Sequence, residues 1–345
     1  MNGPHLDRDA LARTARKLVA KGKGILAADE SQGTIQKRLA GIGLESTEAH
    51  RVAWRELLFT APGLGEFISG VILFDETIRQ RASTGKTMVE HLLDQDIVPG
   101  IKVDRGKFPL AGSPKEFVSE GLDGLRARFE EYHGLGARFS KWRAVIRIDE
   151  AAPSAYCLDV NAHALARFAA LSQEAGLVPI VEPEVLMDGA HDIARCFEAT
   201  EAVQRRLYRE LYEQRVFLEG SLLKPNLVLS GKEAASRASS EEVARQTLVC
   251  LRRAVPAAVP GVVFLSGGQT DEAATAHLNA MVAMGGLPWP LTFSYSRALQ
   301  NPALKTWQGQ AANVAAAQKA FGHRARMNSL ASQGQWRPEL EKQAA

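Results

Sequence analysis

Eight short runs of mostly Val, Ile, Leu and Phe punctuate the chain, at residues 24–29, 70–74, 98–104, 139–148, 177–185, 218–225, 262–266 and 291–296. Runs of this length, apolar on both faces, are the pattern of parallel strands covered by helices. The segments between them have helical character. Residues 158–175 are rich in Ala and Leu and end at Gly176, a helix terminator. Residues 192–214 interleave Arg and Glu with apolar positions, and Ser239-Ser240-Glu241-Glu242 opens another helix with an N-cap and an acidic first turn. Eight strand–helix units in one uninterrupted chain predict an α/β protein, a (β/α)8 TIM barrel forming a single domain over residues 1–345. Residues 6–21 read as an extra amphipathic helix ahead of the first strand. The polar stretch from about 332, with only Trp336 and Leu340 as large apolar anchors, reads as a short mobile tail. A doubly wound sheet is the competing architecture, but no GxGxxG follows the first strand.

Composition narrows the function classes. Lys plus Arg number 42 and Asp plus Glu 39, a net charge of +3, so neither nucleic acid nor an anionic membrane is an expected partner. A local basic pocket for a small anion stays open. Cys157, Cys196 and Cys250 are scattered and form no CxxC, and the eight His form no HxH or HExxH, so no disulfide framework or local metal motif is expected. The apolar stretch 254–265 is broken by Pro256, Pro260 and Gly261, and no signal-like start precedes it. The expectation is a cytoplasmic protein.

The chemistry gathers at the C-terminal ends of the runs, where barrel enzymes build their sites. Asp29 and Ser31 follow the first run, Lys102 and Asp104 end the third, Lys141 and Arg143 lie in the fourth, Glu182 and Glu184 in the fifth and Lys224 in the sixth. Residues two apart in a strand share a face. If those faces point inward, lysines and carboxylates converge on one apolar-walled mouth. Buried charge is costly unless paired, so such clusters mark functional sites. Leu222-Leu223-Lys224-Pro225 delivers one lysine at the end of an apolar run, the arrangement a Schiff-base nucleophile needs, because its amine must be neutral to attack a carbonyl. Ser266-Gly267-Gly268 is a turn whose bare amides suit an anion, and Arg297 after the eighth run adds a bidentate grip. Ser31, Thr34, Lys37 and Arg38 form a second cationic cluster at a helix start.

These motifs name a family. Residues 22–38 (Gly-Lys-Gly-Ile-Leu-Ala-Ala-Asp-Glu-Ser-Gln-Gly-Thr-Ile-Gln-Lys-Arg), Gly100-Ile-Lys102-Val-Asp, Ser140-Lys141-Trp-Arg143, Val178-Pro-Ile-Val-Glu182-Pro-Glu184, Leu218-Glu-Gly-Ser-Leu-Leu-Lys224-Pro-Asn, Phe264-Leu-Ser266-Gly-Gly-Gln and Thr292-Phe-Ser294-Tyr-Ser-Arg297 resemble, in order, the class I fructose-1,6-bisphosphate aldolases. The resemblance implies reversible cleavage of fructose 1,6-bisphosphate through a lysine Schiff base, in glycolysis and gluconeogenesis, with no cofactor. A Schiff-base aldolase for another phospho-sugar, or a non-catalytic barrel scaffold, are the alternatives. By resemblance Lys224 is the nucleophile, Glu182 the acid/base of carbinolamine dehydration, Asp29 the group assisting carbon–carbon cleavage and Lys141 the cation beside the nucleophile. Glu184 joins them as a catalytic candidate. Ser266, Gly267, Gly268, Ser294 and Arg297 are expected at the ketose 1-phosphate, and Ser31, Thr34, Lys102 and Arg38 near the 6-phosphate. Arg51 and Arg143 are further substrate-binding candidates. The implied assembly is a homotetramer. Two positions depart from the common pattern. Thr34 stands where many members have Ser, and Ser296 where many have Gly. The chain also ends without the terminal tyrosine of the animal enzymes, its last being Tyr295.

Overall fold

A computed structural model describes residues 6–342. Its strands are β1 Gly24–Ala28, β2 Ile68–Leu73, β3 Val98–Lys102, β4 Lys107–Leu110, β5 Ser113–Ser119, β6 Phe139–Ile146, β7 Val178–Val185, β8 Leu222–Leu223, β9 Val262–Phe264 and β10 Leu291–Tyr295. Eight of them close a parallel barrel in the order β1-β10-β9-β8-β7-β6-β3-β2. Each predicted run supplies one barrel strand. The sixth is the most shortened. Residues Leu218–Gly220 form a 3-10 turn instead, where a Cβ on Gly220 would meet Leu11 of the N-terminal helix at 2.8 Å. The ladder nevertheless reaches the nucleophile candidate, since the Lys224 amide donates to the Val181 carbonyl at 2.9 Å.

The predicted helices form at Ala155–Glu174, Ile193–Glu213 and Ser240–Ala254, entered through Ser154, Asp192 and Ser239, whose side chains accept an amide of the first turn. Arg8–Leu18 is the extra N-terminal helix. The antiparallel hairpin β4–β5 was not anticipated. It rises from the end of β3, outside the barrel.

Strand alternation sorts the interior into two cores. Ile25, Ala27, Val98, Phe139, Val178, Ile180, Leu222 and Val263 form a cluster inside the barrel, joined by Leu11, Ala15 and Leu18 of the N-terminal helix. The opposite faces, such as Leu26, Val71, Ile101, Trp142, Val181 and Phe264, pack outward on the helices. The Trp142 and Phe168 rings lie 5.8 Å apart in that layer. Phe139 occupies the barrel axis. A Cβ on Gly100 would come within 2.3 Å of its ring, and one on Gly70 within 2.5 Å of Leu18, so these two glycines make the room that the plug fills.

In its described part the tail makes specific contacts with the helices beside it. Residues Pro338–Lys342 form a 3-10 turn that presents Glu341 to Arg324 at 2.6 Å and to His323 at 3.0 Å. Trp336 Nε1 also donates to Glu341 at 2.9 Å, and its amide donates to Asn279. Arg324 is buried and turns its other face to the Asp271 carbonyl and Thr275, so the turn supplies the counter-charge that this guanidinium needs. Polar composition hid the anchor because the anchor is itself an ion pair.

Burial raises the Glu341 pKa, but hydrogen bonding to and charge from Arg324 outweigh it and hold the carboxyl below its ordinary value. A depressed carboxylate pKa adds stability above the unfolded-state value that is lost as pH falls through the folded-state value. Glu341→Gln should therefore cost about 1–2 kcal/mol near neutral pH, below the loss for a fully buried pair because Glu341 keeps some solvent contact. Thermal melts should show the wild-type advantage shrinking on acidification through the carboxylate range. Equal melting of the two proteins at neutral pH would show that the clasp contributes nothing.

Candidate active site

The alternation that fills the lower barrel with apolar side chains continues upward into charge. Above Ile25 and Ala27 comes Asp29, above Val98 comes Lys102, above Phe139 come Lys141 and Arg143, above Ile180 come Glu182 and Glu184, and above Leu222 comes Lys224. All of these line one cavity of about 560 Å³ at the C-terminal ends of the strands. Register brings them level, with Lys102 opposite Lys141, and Arg143 opposite Glu182.

The centre is a chain of ion pairs. Lys224 Nζ lies 3.3 Å from one Glu182 oxygen, and Lys141 Nζ lies 3.3 Å from the other and 2.6 Å from Asp29. Lys224, Lys141 and Glu182 are each no more than 4% exposed. Burial raises the Asp29 pKa, but Lys141, Lys224 and Lys102 together outweigh it and hold the carboxyl far below the usual range. Glu182 is lowered in the same way, burial being overcome by Lys141, Lys224 and Arg143. For Lys141 burial works against the charge, and Asp29 and Glu182 reverse it, so its ammonium persists to strongly alkaline pH. The resting site thus holds two carboxylates bridged by a fixed cation, with a lysine against one of them. Glu184 is tied to Arg143, and Lys102 to Asp104 at 3.2 Å.

Two helix starts face the cavity with unused donors. Ser31 opens Gln32–Ala40 and Ser296 opens Arg297–Trp307, and neither side chain caps its helix. The Ser31 and Thr34 hydroxyls lie 3.2 Å apart on the cavity wall, so Thr34 keeps the hydroxyl at its position. Across the mouth stand Ser266, Gly267, Ser294 and Arg297. The Ser294 hydroxyl is buried with no hydrogen-bond partner in the structure. A Cβ on Gly267 would lie 3.0 Å from Glu184, and Gly268 has φ +77° with Met187 2.6 Å from where a Cβ would stand. Gly268 therefore shapes the turn from behind and does not line the cavity.

Ser296 does not crowd this region. Its hydroxyl is engaged by neighbours on the same wall, donating to Glu30 at 2.7 Å and accepting from Arg38 at 3.0 Å. Glu30 also pairs with Arg38 and with the buried Arg55, and Gln300 donates to it at 2.9 Å. Arg38 does line the cavity, but its guanidinium is occupied by this network. Arg51 departs from expectation altogether. It pairs with Glu76 at 2.5 Å, donates to the Ser46 carbonyl and does not reach the cavity wall, because Thr47 caps a helix that carries it outward.

Sequence reasoning missed the hairpin residues Gly106, Lys107 and Ser119 on the same wall. The available signal was Leu110-Ala111-Gly112-Ser113, a Gly-containing turn between two short runs, where Gly112 has φ +74°. Pro109 and the flanking charges concealed the alternation. Among the described residues no group of His, Cys, Asp and Glu is placed to hold a metal ion.

Removing the bridging cation should expose the cost of the carboxylates it holds. Lys141→Met leaves Asp29 and Glu182 buried with less counter-charge, and should lose about 3 kcal/mol or more in urea unfolding at neutral pH. Adding Asp29→Asn to that variant should recover part of the loss, since the two sites are in contact. Additive losses would show that the pair is not coupled.

A family model described as fructose-bisphosphate aldolase class-I matches residues 10–345. A probable fructose-bisphosphate aldolase class 1 of Xanthomonas campestris is 59% identical over 330 residues, covering 95% of this chain and 99% of the relative. The cytosolic fructose-bisphosphate aldolase 5 of Arabidopsis thaliana is 52% identical over 329 residues, covering 95% of this chain and 92% of that one. Among solved structures, the fructose-bisphosphate aldolase of Plasmodium falciparum, in a ternary complex with TRAP and a small-molecule inhibitor, superposes with a TM-score of 0.95 at 48% identity, covering 98% of each chain.

Proposed function

Because this chain belongs to the class I fructose-bisphosphate aldolase family, we propose that its barrel mouth reversibly cleaves fructose 1,6-bisphosphate to dihydroxyacetone phosphate and glyceraldehyde 3-phosphate through a Schiff base on Lys224. The observation that carries the assignment of residues is the unbroken chain of contacts Lys224–Glu182–Lys141–Asp29 in a buried site.

Each step uses a contact already described. Glu182, against the Lys224 amine, takes the proton that amine gives up and returns it to the carbinolamine hydroxyl, which leaves as water. The resulting iminium is an electron sink beside the bond to be broken. Asp29, kept ionised by Lys141, accepts the proton of the carbon-4 hydroxyl. The electrons of the carbon 3–carbon 4 bond pass into the iminium, leaving an enamine on Lys224 and a free aldehyde. Protonation of carbon 3 and hydrolysis of the imine complete the turnover. Lys141 stays cationic throughout and holds both carboxylates in register.

The phosphates take the two uncapped helix starts. Ser266, Gly267, Ser294 and Arg297 receive the 1-phosphate, and the unpartnered Ser294 hydroxyl supports this seat. Ser31, Thr34 and Lys102 receive the 6-phosphate. The homotetramer and cytoplasmic placement implied by the resemblance belong to the same proposal. Among the described residues no helix is long and apolar enough to cross a membrane, and named relatives include a cytosolic form as well as chloroplastic ones.

Borohydride reduction in the presence of dihydroxyacetone phosphate should label Lys224 alone, and Lys224→Arg should abolish both labelling and nearly all cleavage, because a guanidinium offers no neutral amine. A label on Lys102 or Lys141 would overturn the assignment. Cleavage should also survive prolonged EDTA treatment, since the iminium polarises the carbonyl carbon without a Lewis acid. Loss of activity that zinc restores would refute the Schiff-base route.

A further inference from the structure

The hairpin β4–β5 gives the cavity wall a cation that none of the steps above uses. Lys107, the first residue of β4, lines the same cavity as Lys224. Its ammonium lies 3.8 Å from the centroid of the Phe117 ring, and among the described residues it forms no ion pair. The nearer cations on that side are engaged, Lys102 by Asp104 and Arg143 by Glu184. The proposed distal phosphate seat otherwise offers the hydroxyls of Ser31 and Thr34, the Lys102 ammonium shared with Asp104, and Lys37 on the same wall, so Lys107 adds a further charge for a dianion.

The hairpin is built as a rigid mount. Glu116 accepts from both the amide and the hydroxyl of Ser154 at 2.7 Å, and the Phe117 carbonyl accepts from the buried Asn161 at 2.8 Å. Ser119 bonds the Arg143 carbonyl, which ties β5 to β6. Pro109 pairs with Phe117 across the hairpin, so the ring beneath Lys107 is held in place. The lysine side chain itself is exposed. A cation over an aromatic ring at an exposed rim is weakly held, so the ammonium is available to a phosphate. Burial and the nearby Arg143 hold the Lys107 pKa below its ordinary value, against the opposite pull of Asp188 and Glu184, and a phosphate beside the two cations favours both charges.

We propose that Lys107 is a specificity-determining residue, a swinging cation that leaves the Phe117 ring to grip the distal phosphate of a bisphosphorylated ketose. The proposal rests on the aldolase reading for its substrate. It separates this protein's preference for two phosphates from the chemistry at Lys224.

The test compares Lys107→Met, which keeps the stem over Phe117, with Lys107→Arg. Calorimetry with hexitol 1,6-bisphosphate and hexitol 1-phosphate reads binding without turnover, and steady-state cleavage of fructose 1,6-bisphosphate and fructose 1-phosphate reads the reaction. Lys107→Met should weaken the bisphosphate ligand about fivefold or more and raise the bisphosphate KM by a similar factor, as expected for loss of one charge-assisted contact. Its kcat, and both measurements on the monophosphates, should stay within about twofold, and Lys107→Arg should restore most of the loss. Unchanged bisphosphate binding, or equal losses for mono- and bisphosphate, would overturn the role of Lys107 while leaving the aldolase reading in place. Loss of borohydride trapping in the wild-type protein would instead refute that reading.

Discussion

Everything at the mouth of this barrel depends on the Lys141 ammonium lying between two carboxylates. Stripping water from any one of Asp29, Glu182 or Lys141 costs several kcal/mol, and only mutual pairing offsets it. The pairing fixes protonation as well as position. Asp29 and Glu182 are held ionised and Lys141 cationic, so each proton acceptor is ready before substrate arrives. Lys224 shares Glu182 with Lys141, which places the proposed nucleophile in the same electrostatic unit as Asp29, the proposed base for bond cleavage. The outer ion pairs, Lys102 with Asp104 and Arg143 with Glu184, extend the unit toward the rim.

That charge is tolerable because the strands below it are apolar. One alternation runs the length of each strand, so a single register choice sets both the plug around Phe139 and the charged ring above it. A slip of one residue in β7 would turn Glu182 and Glu184 into the helix layer and Val181 and Val185 into the cavity. Stability and chemistry are therefore specified by the same pattern, and a sequence that keeps one keeps the other.

This is why the barrel and the central residues were legible in the sequence. Apolar runs with charges two apart, as in Lys141-Trp142-Arg143 and Glu182-Pro183-Glu184, announce both strand and site. What escaped has different physics. The hairpin's alternation is interrupted by Pro109, and Lys107, Phe108 and Pro109 are exposed in succession, so β4 left no periodic signal. The helix that carries Arg51 outward brings it to Glu76, a partner 25 positions away that no local pattern reveals. The Ser296 hydroxyl finds Glu30 and Arg38 from the far end of the chain, which converts a departure from the family pattern into a cross-link between the first and last barrel units. The tail likewise hides its anchor in Glu341, a residue whose composition reads as solvent-facing.

The plug has a bearing on traffic. Among the described residues, Phe139, Leu18 and the flanking glycines close the base of the barrel, and the cavity opens at the C-terminal ends of the strands. In the proposed reaction the half of a cleaved sugar on Lys224 is held covalently, and the aldehyde half is not. Departure is then ordered by chemistry: the untethered fragment leaves directly, whereas the tethered one waits for the imine to be hydrolysed. In a dead-ended cavity, the water that frees the second product must enter by the side through which the first one left.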